Sequence, residues 1–148
     1  MLIGIGADHR GYPLKKELIQ RLEVSNFKVE DFGTDSKESS DYPDFAEALA
    51  REVSKGKIDY GILICNTGIG MTIAANKVKG AYAALALDKD MAESAKRHNN
   101  ANILVFSAER TNAEEAWEMF TTWMEAKFEG GRHERRLKKV KAIEDASE

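Results

Sequence analysis

The stretch "YGILICNTGIGMTIAANK", residues 60–77, decides how the rest of the chain is read. Its first six residues are an apolar run with no polar alternation. That is the pattern of a strand covered on both faces, as in a parallel sheet flanked by helices. Two glycines, Gly68 and Gly70, then lead directly into an apolar segment long enough for a helix. The stretch also holds the chain's only cysteine, Cys65. A thiol at a strand end admits two readings. It is either a small buried hydrophobe, or a nucleophile or base beside a helix N-terminus, a setting that favours thiolates.

The same strand-then-helix pattern extends in both directions. "LIGIGA" is a short apolar strand, and Pro13 suits the first turn of a helix carrying Leu14, Leu18, Ile19 and Leu22. "KVEDFG" reads as a second strand, and Pro43 opens a helix with Phe45, Leu49 and Val53 on one side. "AYAALAL" reads as a fourth strand, followed by a helix that Asp88 caps. "NILVFS" is the fifth, followed by an amphipathic helix with Ala116, Met119, Phe120, Trp123 and Met124. Trp117 and Trp123 read as core or interface aromatics. "EGG" ends that helix, and a last helix of about 131–145 has only a thin stripe of Leu137, Val140 and Ile143. The expectation is one doubly wound, Rossmann-like α/β domain over 1–148. It has a mainly parallel five-stranded sheet, helices on both faces and an appended C-terminal helix packing on a partner subunit.

A chain of 148 residues, 43% apolar, suits a single core. The net charge of −3 argues against nucleic-acid binding. Residues 127–141 carry seven basic side chains against Glu129 and Glu134, an excess of five charges in an otherwise acidic chain. That excess is either a solvated helix face or a local anion site. One cysteine excludes an intrachain disulfide. No run is long enough for a membrane helix, and "MLIGIGA" lacks the basic flank of a signal peptide. A cytoplasmic protein without membrane or nucleic-acid partners is expected.

In sheets of this kind ligands bind beyond the carboxyl ends of the strands. "ADHRG", "CNTGIG" and "DKD" all fall there. Gly68 and Gly70 let backbone amides converge at a helix start, an anion-stabilising arrangement. The turn lacks the Gly-Lys-Ser/Thr ending of a Walker loop, and Ile73 stands where a dinucleotide fingerprint needs its third glycine. His9 and His98 sit among polar residues and are candidate acid–base groups, or simply exposed histidines. No pair of His or Cys has zinc-like spacing, so no metal is expected. Arg132 and Arg136, four apart on a helix, suit a phosphate dianion.

Together "GADHRGYPLKKEL", "DYPDFA", "GILICNTGIGMTIAANK", "RHNNANIL" and "EGGRHERRLKKV" resemble the ribose-5-phosphate isomerase type B family. That group of sugar-phosphate isomerases includes galactose-6-phosphate and allose-6-phosphate isomerases. The resemblance runs from residue 3 to about 144 and implies a cofactor-free aldose–ketose isomerase of the pentose phosphate pathway. It implies Cys65 as the base that moves a proton between C2 and C1, and His98 as the acid that opens the furanose ring. Thr67 joins them as a further catalytic candidate. Asp8, His9, Tyr42, Asn66, Gly68, Ile69, Gly70, Asn99, Arg110, Arg132 and Arg136 match substrate-binding positions. A homodimer or homotetramer with sites shared between chains is implied as well. The family commonly carries glycine where this chain has Asn66. Two alternatives remain: a hexose-6-phosphate isomerase of the same group, and a non-catalytic phosphate-binding α/β module.

Overall fold

The computed structural model describes residues 1–146, so the last two residues of the expected 1–148 domain lie outside the described residues. Five strands alternate with helices in chain order: β1 Leu2–Ala7, α1 Tyr12–Val24, β2 Lys28–Asp31, α2 Tyr42–Ser54, β3 Tyr60–Cys65, α3 Ile69–Asn76, β4 Ala83–Leu85, α4 Lys89–Arg97, β5 Ile103–Ser107, α5 Ala113–Glu125 and α6 Arg132–Ala146. The strands lie in the order β2-β1-β3-β5-β4, and every pairing is parallel. The expected doubly wound, Rossmann-like sheet is therefore present, without an antiparallel strand among the described residues. From β1 the chain moves one way to β2 and the other way to β3, which sets the topological switch between β1 and β3.

β3 sits at the centre, and its alternation explains its unbroken apolar run. Ile62 and Ile64 point into a core with Leu14, Leu18 and Leu22 of α1, Ala92 and Ala95 of α4, and Phe120 and Trp123 of α5. Leu63 and Cys65 point the other way, onto Ala46 and Leu49 of α2 and Met71 of α3. Both faces are covered, so neither can be polar.

Caps fix the helix starts. Asp88 accepts from Met91 N at 2.8 Å, as its position in the sequence predicts. Asn112 and Glu115 form a reciprocal capping box at α5. β4 is shorter than "AYAALAL" suggests, because Asn76 Oδ1 takes the amide of Ala83 at 2.8 Å and Asn102 Oδ1 takes that of Tyr82 at 2.8 Å. Asn102 thus takes an amide that faces β5, and Asn76 covers the outer edge of β4.

Gly130 and Gly131, both left-handed at φ 71 and 57, separate α5 from α6. α6 is tied to the body by Glu144, which accepts from Gly80 N at 2.9 Å, and by the Lys79–Asp145 pair. Val140 and Ile143 are 48% and 74% exposed, so the thin apolar stripe stays uncovered within the chain.

Candidate active site

At the carboxyl edge, the loops after β1 and β3 are joined by Asp8 N, which donates to Ile64 O at 3.2 Å. Asp8 is 6% exposed. Its Oδ1 accepts from Arg10 N and Gly11 N at 3.0 and 3.1 Å, closing the turn into α1. His9 is aimed by Ser40, whose amide donates to His9 Nδ1 at 3.2 Å while Ser40 Oγ accepts from His9 N at 3.1 Å. With Nδ1 accepting, the neutral ring carries its hydrogen on Nε2. Ser40 lies in the irregular 32–41 segment and had no periodic or motif signal to announce it.

Cys65 ends β3 and is 5% exposed. Beyond it, the amides of Thr67, Gly68 and Gly70 have no acceptor among the described residues, while Ile69 N donates to Thr67 Oγ1 at 3.2 Å. Gly68 is left-handed, at φ 83. Gly70 is required by Tyr42, since a Cβ there would lie 2.6 Å from the ring's Cζ. The first residue of α2 thus lies over the first turn of α3. Asn66 is not among the left-handed residues, so its side chain is carried at ordinary backbone angles. Its carbonyl accepts from Ser107 Oγ and Glu109 N at 2.8 and 3.0 Å, which locks the loop to the end of β5. Arg110, in the turn after β5, is exposed on the same edge. Three amides without an acceptor among the described residues, at a helix start beside a thiol, form a ready set of donors for an oxyanion.

The remaining candidates lie elsewhere. β3 and β5 run in register from Gly61↔Ile103 to Cys65↔Ser107. The level of Cys65 is therefore ~13 Å from the level where β5 begins, at ~3.3 Å per residue. His98 caps the end of α4, five residues before β5, and so sits at the opposite, amino edge with Asn99. The first turns of α6 bring Arg132 and Arg136 to this same end, where His133 stacks on His98 with centroids 4.3 Å apart. Both arginines are exposed and have no ionic partner among the described residues. The predicted site residues form two half-sites, one at each edge of the sheet.

The amino-edge group has its own supports. Lys96, 5% exposed, lies over the rings of Tyr60 and Trp123 at 4.3 and 4.7 Å and pins the last turn of α4. Burial pushes its ammonium below the ordinary lysine value. Arg97 donates from Nε to Glu129 Oε2 at 2.7 Å and also pairs with it through Nη2. Those hydrogen bonds hold the Glu129 carboxyl below the usual range. Glu129 Oε1 lies 3.7 Å from Nε2 of both His98 and His133. Spacing along the sequence gave no metal-like set, yet the fold gathers His98, Glu129 and His133 with ligand atoms within 4.8 Å. Only the four-residue interval between Glu129 and His133 hinted at it.

A family model described as Ribose/Galactose Isomerase matches residues 3–140. The chain belongs to the ribose/galactose isomerase family. Ribose-5-phosphate isomerase B of Escherichia coli is 40% identical over 142 residues, covering 96% of this chain and 95% of that protein. The ribose-5-phosphate isomerase B of Clostridium thermocellum superposes with a TM-score of 0.97 at 45% identity, covering 99% of each chain. The Mycoplasma genitalium enzyme, solved with bound ribulose-5-phosphate, gives 0.94 at 41% identity, covering 99% of this chain and 97% of that one. The isomerase fold is therefore shared over essentially the whole described chain.

Proposed function

We propose that this protein is an aldose–ketose isomerase that interconverts D-ribose 5-phosphate and D-ribulose 5-phosphate. The observation that carries the reading is the thiol of Cys65 beside a turn of three unpaired amides. Isomerisation is an internal proton transfer with no net oxidation of the sugar. His98 gives a proton to the ring oxygen as the C1 hydroxyl loses its own, which opens the furanose. The Cys65 thiolate then takes the proton from C2, and the electron pair moves onto O1 as an enediolate. The amides of Thr67–Gly70 and the N-terminus of α3 stabilise that charge. A proton passes from O2 to O1, and Cys65 returns its proton to C1 as C2 becomes the carbonyl, which leaves the ketose. Arg132 and Arg136 bind the phosphate, with Arg110 beside the carboxyl-edge loop.

Ring opening and proton transfer act on neighbouring sugar atoms, so a gap of ~13 Å prevents one chain's Cys65 and His98 from serving one substrate. The reading therefore includes a homodimer or homotetramer, in which the amino edge of one copy meets the carboxyl edge of the next. The uncovered stripe of Val140 and Ile143 on α6 fits such packing. A lone reduced cysteine as base suits a cytoplasmic setting.

The test is incorporation of solvent deuterium into a panel of pentose and hexose phosphates. Exchange and turnover are expected with the pentose pair, and Cys65→Ala lowers both by about 10²–10⁴-fold while substrate still binds. Near-normal turnover in that variant would remove the cysteine from the mechanism. Preference for a hexose 6-phosphate would reassign the substrate, and exchange into no sugar would leave only a binding module.

A further inference from the structure

The group formed by His98, Glu129 and His133 at the amino edge contains two residues to which the mechanism above assigns no task. We propose that Glu129 and His133 are positioning residues for His98: the carboxylate faces one ring nitrogen, the second imidazole stacks on the ring, and the sugar is offered the other nitrogen with its proton. This rests on the isomerase reading above.

Glu129 is held at two points. Its Oε2 is clamped by Arg97, and its amide donates to Arg97 O at 3.0 Å, so Oε1 is left facing the histidines. Both Nε2 atoms lie 3.7 Å from it. The two rings are 12° from parallel, which fixes the plane of His98. Parallel rings keep their nitrogen lone pairs from converging on one point, so the group suits proton handling better than chelation.

The two imidazoles are unequal. The His98 side chain is 39% exposed and that of His133 10%. His133 Nε2 is buried without a hydrogen-bond partner. Burial, then the nearness of His98 and Arg132, hold His133 below the ordinary histidine value against the pull of Glu129, and Arg136 acts in the same sense. His133 is therefore the ring that resists taking up a proton. The charged groups around the pair are Glu129 and Arg97, with Arg132 and Arg136 from α6. Glu93 is engaged by Arg97 at 2.5 Å.

Ribulose 5-phosphate gives a substrate that bypasses ring opening, because its C5 oxygen is esterified and cannot close a furanose. Exchange of solvent deuterium into it reads the Cys65 step alone, and turnover of ribose 5-phosphate reads ring opening as well. Glu129→Gln is expected to lower turnover of ribose 5-phosphate about tenfold, from loss of the carboxylate that orients the ring at 3.7 Å. Exchange into ribulose 5-phosphate should stay within about twofold, less than the effect of one lost neutral hydrogen bond. His133→Phe, which keeps the stack, should turn over ribose 5-phosphate close to normally. His133→Ala should lose about tenfold on that substrate alone. Unchanged turnover in Glu129→Gln overturns the proposal, and so does exchange that falls in step with turnover. No exchange in the unmodified protein would instead overturn the isomerase reading.

Discussion

Gly68→Ala separates what the 66–70 turn contributes to stability from what it contributes to chemistry. Gly68 has φ 83, a left-handed conformation that costs a residue with a Cβ ~1–2 kcal/mol. The new methyl would also land on Leu85 Cδ1, at the end of β4, too close for two carbons. Leu85 is a flexible side chain and can move, at about 1 kcal/mol. The sum, ~2–3 kcal/mol, corresponds to a fall in Tm of about 5–10 °C for a domain of this size. Gly56→Ala is the matched control. It has φ 77, its Cβ would meet nothing within 4 Å, and it lies in the turn after α2 at the amino edge, away from Cys65. It should show the left-handed cost alone, a fall of ~3–6 °C. The two part company in kinetics. Displacing the amides of Thr67, Gly68 and Gly70 should lower kcat for the pentose phosphates ~10²-fold in Gly68→Ala, the scale of one oxyanion donor. Gly56→Ala should keep its full kcat. A Gly68→Ala protein that melts as expected but retains kcat within about threefold would refute the oxyanion role of the turn.

Two further outcomes follow from the supports of the half-sites. Lys15, 1% exposed, donates to Asp31 Oδ1 and to Thr34 O, both at 2.6 Å. Lys15→Met should cost ~1–3 kcal/mol in denaturant unfolding and raise KM, because the 32–40 segment that carries Ser40 to His9 loosens. A KM unchanged at the lower stability would show that Ser40 is held by other means. His133 is the pH-sensitive stability element. Its folded value lies below the ordinary one, so the unfolded chain takes up a proton first as pH falls. Its contribution is complete above the ordinary histidine value of ~6.5 and is lost as pH drops below it. Thermal unfolding followed between about pH 7.5 and 5.5 should show the decline, and His133→Asn should flatten it. An equal decline in that variant would assign the pH dependence to other groups.

The sheet was legible because β3 is buried on both faces and its sequence shows it. The half-sites were legible as residue types, but not as two places. Cys65 read as a strand end and His98 as a histidine among polar residues, with nothing to put them at opposite edges. What divides them is that α4 runs back antiparallel to the strands and carries His98 to the amino edge. Only element order and register reveal that. The thin stripe on α6 did signal an unmet surface. The burial of His133 against His98 depends on the left-handed turn at Gly130 and Gly131, which folds α6 back. Ser40, Lys15 and Arg97 support the site through single contacts distant in sequence, and no period or motif marks such contacts.

Subunit complementation tests the shared isomerase site most directly. Cys65→Ala removes the carboxyl-edge half, and Arg132→Ala with Arg136→Ala removes the amino-edge half. Each variant alone should be nearly inactive on ribose 5-phosphate. Mixed, unfolded and refolded together in equal amounts, half the dimers pair one of each, and each such dimer regenerates one intact site. The mixture should recover about a quarter of the activity of the unmodified protein. Activity no greater than the sum of the two parents would contradict a site built from the two edges of different chains.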